Sequence, residues 1–158
     1  MKNKPWKNYI FFILLTVAVG FVSGLLTREG TQIYKDTITK PPLSPPAIVF
    51  PIVWAILYAL MGYCAARVSL TNPSKDRRSA IYLYFAQLTF NFFWSIIFFN
   101  LQAFLFAFFW LVALWLLIFF TIKLFRRVDK TAGNLMIPYL AWVTFAGYLN
   151  LGVWLLNR

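Results

Sequence analysis

Histidine is absent from this 158-residue chain, and cysteine occurs once, at Cys64. The first absence removes the commonest general base and the commonest metal ligand, which excludes Ser-His and Cys-His catalysis and ordinary zinc sites. A single cysteine within an apolar run leaves no disulfide framework. Charge is also scarce: 12% of residues are charged, and only four are acidic. None of the four lies within an apolar run, so no acid–base pair can form there and no metal or cofactor is expected. What is abundant is apolar surface, at 61% hydrophobic and 21% aromatic residues. A soluble domain has about half apolar and about a quarter charged residues. A core of this size could not hide the excess from water, so the expected solvent is lipid.

Five apolar segments can be read at about 9–27, 47–66, 79–99, 103–122 and 132–156. Each is about 20 residues, the length a helix needs to cross a bilayer. Runs such as "FLFAFFWLVALWLLIFF" (104–120) do not alternate as a membrane β-strand would. The expected fold is therefore all-α, an integral membrane bundle of five transmembrane helices forming one domain over 1–158. The apolar run of the first segment continues past Ala18-Val19-Gly20 to Leu26, so it reads as a retained span and not a cleaved signal.

The net charge of +11 is confined to the connections. Lys2, Lys4, Lys7, Arg67, Lys75, Arg77, Arg78, Lys123, Arg126, Arg127 and Lys130 fall on one side of a five-span chain. Arg28, Lys35, Lys40 and Arg158 fall on the other. This 11 to 4 division predicts a cytoplasmic N-terminus and an external C-terminus in the cell membrane. It reads as membrane-surface charge and not as a nucleic-acid groove. The longest connection, 28–46, is then external.

Five of the eight prolines lie in "KPPLSPPAIVFPIVW", residues 40–54. Pro45 and Pro46 suit the start of a helix, where a missing N–H costs nothing. Pro51 is expected to sit deeper and to bend the second span. Trp54 and Tyr58 follow on one face at spacing four, as do Trp142, Ala146 and Asn150 after Pro138. Gln87, Asn91 and Trp94 form a third such stripe. Polar groups at mid-membrane face protein or a cavity. A pocket lined by Trp54, Tyr58, Asn91, Trp94, Trp142, Ala146 and Asn150 would suit a large planar ligand. The competing reading takes the amides as glue between helices and the rings as packing or interfacial belts. Trp6 and Trp154 read as belt residues, and Trp110 and Trp115 as lipid-facing or packing. Gly20-x-x-x-Gly24 fits close helix packing.

"KPPLSPPAIVFPIVWAILYALMGY" (40–63), "NFFWSIIFF" (91–99) and "PYLAWVTFAGYLN" (138–150) together resemble the tryptophan-rich sensory protein family. This is the translocator protein, or peripheral-type benzodiazepine receptor, family. The resemblance implies a five-helix bundle, often a homodimer, with a ligand cavity beneath the first external loop. It implies binding of porphyrins, notably protoporphyrin IX, and of benzodiazepine-type ligands. For bacterial members it also implies light- and oxygen-dependent porphyrin breakdown involving two tryptophans, which match Trp54 and Trp142 here. Asn91, Trp94 and Ala146 match further pocket positions. Leu43 and Ile48 stand where the family often has tryptophan. Leu151 and Gly152 stand where the animal cholesterol motif needs its tyrosine and basic residue, so cholesterol binding is not implied.

Three functions follow as alternatives. The first is porphyrin binding for tetrapyrrole sensing, regulation or disposal. Pro41, Pro42, Pro45 and Pro46 would stiffen a lid, lowering the ordering cost of closure. The second is photo-oxidative breakdown, with the reactive part supplied by the substrate. The third is transport of porphyrin or another amphipathic solute. Ion transport is disfavoured by the lack of charge within the spans.

Overall fold

The computed structural model describes residues 4–158. Lys2, counted above with the basic side, lies outside them. Among the described residues seven helices follow one another: α1 (Pro5–Leu26), α2 (Arg28–Thr37), α3 (Val49–Ser69), α4 (Lys75–Ser95), α5 (Phe104–Val128), α6 (Lys130–Leu135) and α7 (Ile137–Leu156). A π-helical turn, Ile96–Asn100, extends α4. Among the described residues five stretches are long and apolar enough to cross a membrane: Pro5–Leu26, Val49–Ser69, Lys75–Asn100, Phe104–Val128 and Lys130–Leu156. The all-α, five-span expectation holds.

Local chemistry sets the ends. Pro5 opens α1, where its missing N–H has no intrahelical partner to lose. Ser74 caps α4 by accepting from the Arg77 N–H at 3.0 Å. Asp129 caps α6 through the Ala132 N–H at 2.9 Å and also pairs with Arg67 at 2.9 Å, tying α3 to the end of α5. The most extensive packing is α1 on α3, α4 on α5 and α5 on α7. Gly62 permits the first of these: a Cβ there would stand 2.6 Å from Ile13 Cα and from the Phe12 carbonyl oxygen. The hydroxyls of Thr16 and Tyr84 bond α1 to α4 inside the bundle.

Alternation of the spans gives the bundle two unlike ends. One carries α2, the proline-rich strap that follows it, the π turn and the C-terminal end of α7. The other carries ten of the eleven basic residues grouped above, Lys2 being the eleventh.

Three local expectations need correction. The connection 28–46 is not one loop, because its first ten residues form α2. That helix sits on the π turn, with Gly30 against the Phe99 carbonyl and Tyr34 packed on Phe98 and Phe99. Pro51 does not sit deep in a helix. It is the third residue of α3, where the N–H it lacks would have had no intrahelical acceptor, so it gives no cause for a bend. The segment 132–156 is broken at Met136, and Pro138 starts α7 as its second residue. Of the glycine pair in α1, Gly20 lies against the Tyr58 ring, whereas Gly24 has open space beside it.

Candidate ligand-binding site

Two helices present aromatic faces to each other. On α3, Phe50, Trp54 and Tyr58 recur every four residues; on α7, Tyr139, Trp142 and Ala146 share a face. The Phe50 and Trp142 rings meet edge-on with centroids 5.9 Å apart, and Trp54 meets Tyr139 at 6.3 Å. Trp54 also leans on Tyr58 at 5.5 Å, and Trp142 on Phe145 at 5.7 Å. The backbones of α3 and α7 are not among the closely packed pairs. Side-chain rings, rather than close backbone packing, fill the space between these two helices. Trp54 and Trp142 are each half-buried.

The polar groups nearby are committed to one another. The Tyr58 hydroxyl donates to Asn91 Oδ1, Asn91 Nδ2 to the Tyr139 hydroxyl, and Tyr139 to Gln87 Oε1, each at 2.7 Å. Nearer the strap end, Trp94 Nε1 donates to Asn150 Oδ1 at 3.1 Å, and Asn150 Nδ2 to the Phe104 carbonyl at 2.8 Å. These bonds join α3, α4, α5 and α7 across a medium that offers no water. One group is left out. Trp142 Nε1 is buried and, among the described residues, is the one buried side-chain nitrogen or oxygen without a hydrogen-bond partner. A buried donor left unpaired costs about 1–3 kcal/mol.

A model of the TspO/MBR family matches residues 12–155. The chain belongs to the TspO/MBR family. It is 38% identical over 156 residues to the Tryptophan-rich protein TspO of Chlorobaculum tepidum, covering 98% of this chain and 99% of that relative. It is 34% identical over 155 residues to the Tryptophan-rich sensory protein of Cereibacter sphaeroides, covering 98% and 94%. It is 33% identical over 157 residues to the Translocator protein of Bos taurus, covering 98% and 92%. With its five apolar spans, this TspO/MBR chain is a multi-pass membrane protein.

The predicted residues of this TspO/MBR protein fall into two groups. Trp54, Tyr58, Trp142 and Ala146 lie along the α3 and α7 faces, with Asn91 joined to them through Tyr58 and Tyr139. Trp94 and Asn150 are bonded to each other further toward the strap end. The amides bond between helices, as in the competing reading, and the Trp54 and Trp142 rings pack on their aromatic neighbours, but Trp142 Nε1 makes no such bond. Phe50, Tyr139 and Phe145 complete the aromatic wall and were missed. The signal for Tyr139 was there, three residues before Trp142 and seven before Ala146. Trp110 and Trp115 are packing residues, donating to the Phe90 carbonyl and to Thr144 Oγ1, both at 2.8 Å. A groove of about 870 Å³ opens elsewhere, lined by Phe104, Phe106, Trp154 and Arg158 among others, and none of the seven predicted residues lines it. It is a broad surface concavity bordered by the start of α5, the C-terminal end of the chain and Ile38, and Trp142 does not line it.

Proposed function

We propose that this TspO/MBR protein binds porphyrins such as protoporphyrin IX, and related planar hydrophobic ligands, between α3 and α7, and that it serves tetrapyrrole sensing, regulation or disposal. The observation that carries the reading is the unpaired Trp142 Nε1 within a wall of rings from Phe50, Trp54, Tyr139 and Phe145. A flat aromatic ligand parting these rings would keep their buried area. A carbonyl or carboxylate on it would satisfy the indole N–H. Flat-walled, largely apolar sites with few polar groups suit such ligands. Relatives named as a tryptophan-rich sensory protein and a translocator protein support a sensing or translocating role.

The test is titration of the purified protein with protoporphyrin IX, followed by tryptophan fluorescence. Trp142→Phe is expected to weaken binding about tenfold through loss of one hydrogen bond to a polar ligand group. Trp54→Phe should weaken it less, because most of the ring area remains. Trp110→Phe, at the α4–α5 interface, should leave it unchanged. Equal affinities in all four proteins would overturn the site.

The same samples under illumination decide between binding and breakdown. Trp54 touches two phenol rings, Tyr58 and Tyr139, which favours a role as an oxidisable ring. If breakdown occurs there, Trp54→Phe and Trp142→Phe at saturating protein lose the light-dependent fall in porphyrin absorbance, and Trp110→Phe keeps it.

A further inference from the structure

The end of the bundle opposite the strap carries a concavity of about 420 Å³. It is lined by Thr71, Asn72 and Ser74 of the α3–α4 connection, by Lys75 and Asp76 in the first turn of α4, and by Arg127 near the end of α5. These elements meet because α4 and α5 are joined by a short connection and pack closely, which sets the start of one beside the end of the other. One wall is held from behind. Arg77 Nη1 turns back to the Thr71 carbonyl at 2.6 Å and the Ser69 carbonyl at 3.3 Å, and Thr71 Oγ1 donates to the Val68 carbonyl at 2.8 Å. The charges in front are not engaged in this way. Among the described residues the one ion pair joins Arg67 to Asp129, so Lys75, Asp76 and Arg127 line the concavity without a charged partner.

Its depth in the bilayer follows from α5. That helix has 25 residues, about 37 Å at 1.5 Å per residue, against about 30 Å of hydrocarbon. Its first turn carries no charge and its last holds Arg126 and Arg127, so the excess length emerges at this end, among lipid headgroups. Below each cation the helix face is apolar and open. Tyr82 lies two turns from Lys75 on α4 and is 70% exposed, and Phe120 lies two turns from Arg127 on α5 and is 50% exposed.

We propose that this concavity binds the headgroup of an aminophospholipid of the phosphatidylethanolamine class. The lipid phosphate sits between Lys75 and Arg127, its ammonium lies on Asp76, and its acyl chains run down the α4–α5 face past Tyr82 and Phe120. Basic pockets at the ends of membrane helices hold lipid phosphates in this manner. The carboxylate supplies the selectivity. Phosphatidylglycerol offers the same phosphate but only neutral hydroxyls to Asp76, and a choline headgroup has no N–H to donate to it. The site is separate from the ring-lined space between α3 and α7, and neither depends on the other.

Native mass spectrometry of the full chain, released from micelles holding phosphatidylethanolamine and phosphatidylglycerol in equal amounts, reads which lipid is retained. The parent is expected to retain phosphatidylethanolamine about threefold over phosphatidylglycerol, the scale of one exposed ion pair. Asp76→Asn should erase that preference without loss of phosphatidylglycerol. Lys75→Gln combined with Arg127→Gln should lower retention of both lipids about tenfold, two such pairs being lost. Lys130→Gln removes a basic residue of the same end that does not line the concavity, and should change neither lipid. All four side chains are exposed, so the thermal midpoints should stay together. No preference in the parent, a preference that survives Asp76→Asn, or an equal fall in Lys130→Gln would overturn the site. Soluble glycerophosphoethanolamine separates lipid from free headgroup: it should leave the retained lipid in place, and displacement at matching concentration would overturn the lipid assignment.

Discussion

Tyr139 and Trp142 stand three residues apart on α7, yet their polar atoms are used in opposite ways. The Tyr139 hydroxyl accepts from Asn91 and donates to Gln87, both at 2.7 Å. Tyr139→Phe would leave an amide donor and an amide acceptor buried without partners, and is expected to cost about 1–3 kcal/mol of stability. Trp142→Phe removes a donor that bonds to nothing, so it should shift stability much less while weakening the ligand. Thermal midpoints of the two variants in one detergent, beside their porphyrin affinities, check this contrast. A larger loss of stability in Trp142→Phe would mean that its indole serves packing and not ligand recognition.

At the scale of elements, the α1–α3 contact depends on the missing side chain at Gly62. The obstacles are backbone atoms of Phe12 and Ile13, which cannot swing aside as a side chain can. Gly62→Val should cost about 1–3 kcal/mol through overpacking, read as a lower thermal midpoint. Gly24→Val, with open space at that position, should leave the midpoint nearly unchanged. A matching loss at Gly24 would show that this face of α1 packs against another molecule. The prolines act on a different element. Replacing Pro41, Pro42, Pro45 and Pro46 by alanine should loosen the strap and speed ligand dissociation, at a cost on the order of 1 kcal/mol. Unchanged dissociation would confine the prolines to folding.

For the whole molecule, the grouping of basic residues at one end of the bundle leads us to propose that this end is cytoplasmic and the strap end external. Single cysteines at Lys75 and Thr37, with Cys64 replaced, test it in whole cells with an impermeant reagent. Labelling at Thr37 is expected, and stronger labelling at Lys75 would invert the topology. We also propose a homodimer, as the family resemblance implies. The mass of the protein–detergent particle by light scattering, corrected for bound detergent, would give two chains in support or one against.

The sequence by itself determined the class of solvent, the number of spans, their alternation and the family. These depend on composition, on runs of about 20 residues and on motifs read along the chain, none of which requires knowing a neighbour. It also brought Trp54 and Trp142 to notice through helical spacing. Only the tertiary structure decided what each polar group does. Asn91 and Asn150 look alike in one dimension to a ligand-binding amide, but each has its bonds taken by another helix. Trp142 differs from Trp94, Trp110 and Trp115 in that no acceptor reaches its nitrogen. The docking of Thr39, Pro41 and Pro42 on α7 joins residues about 106 to 118 positions apart. No local pattern encodes such a pairing, because it exists only once α3 and α7 stand side by side and the strap must bridge them.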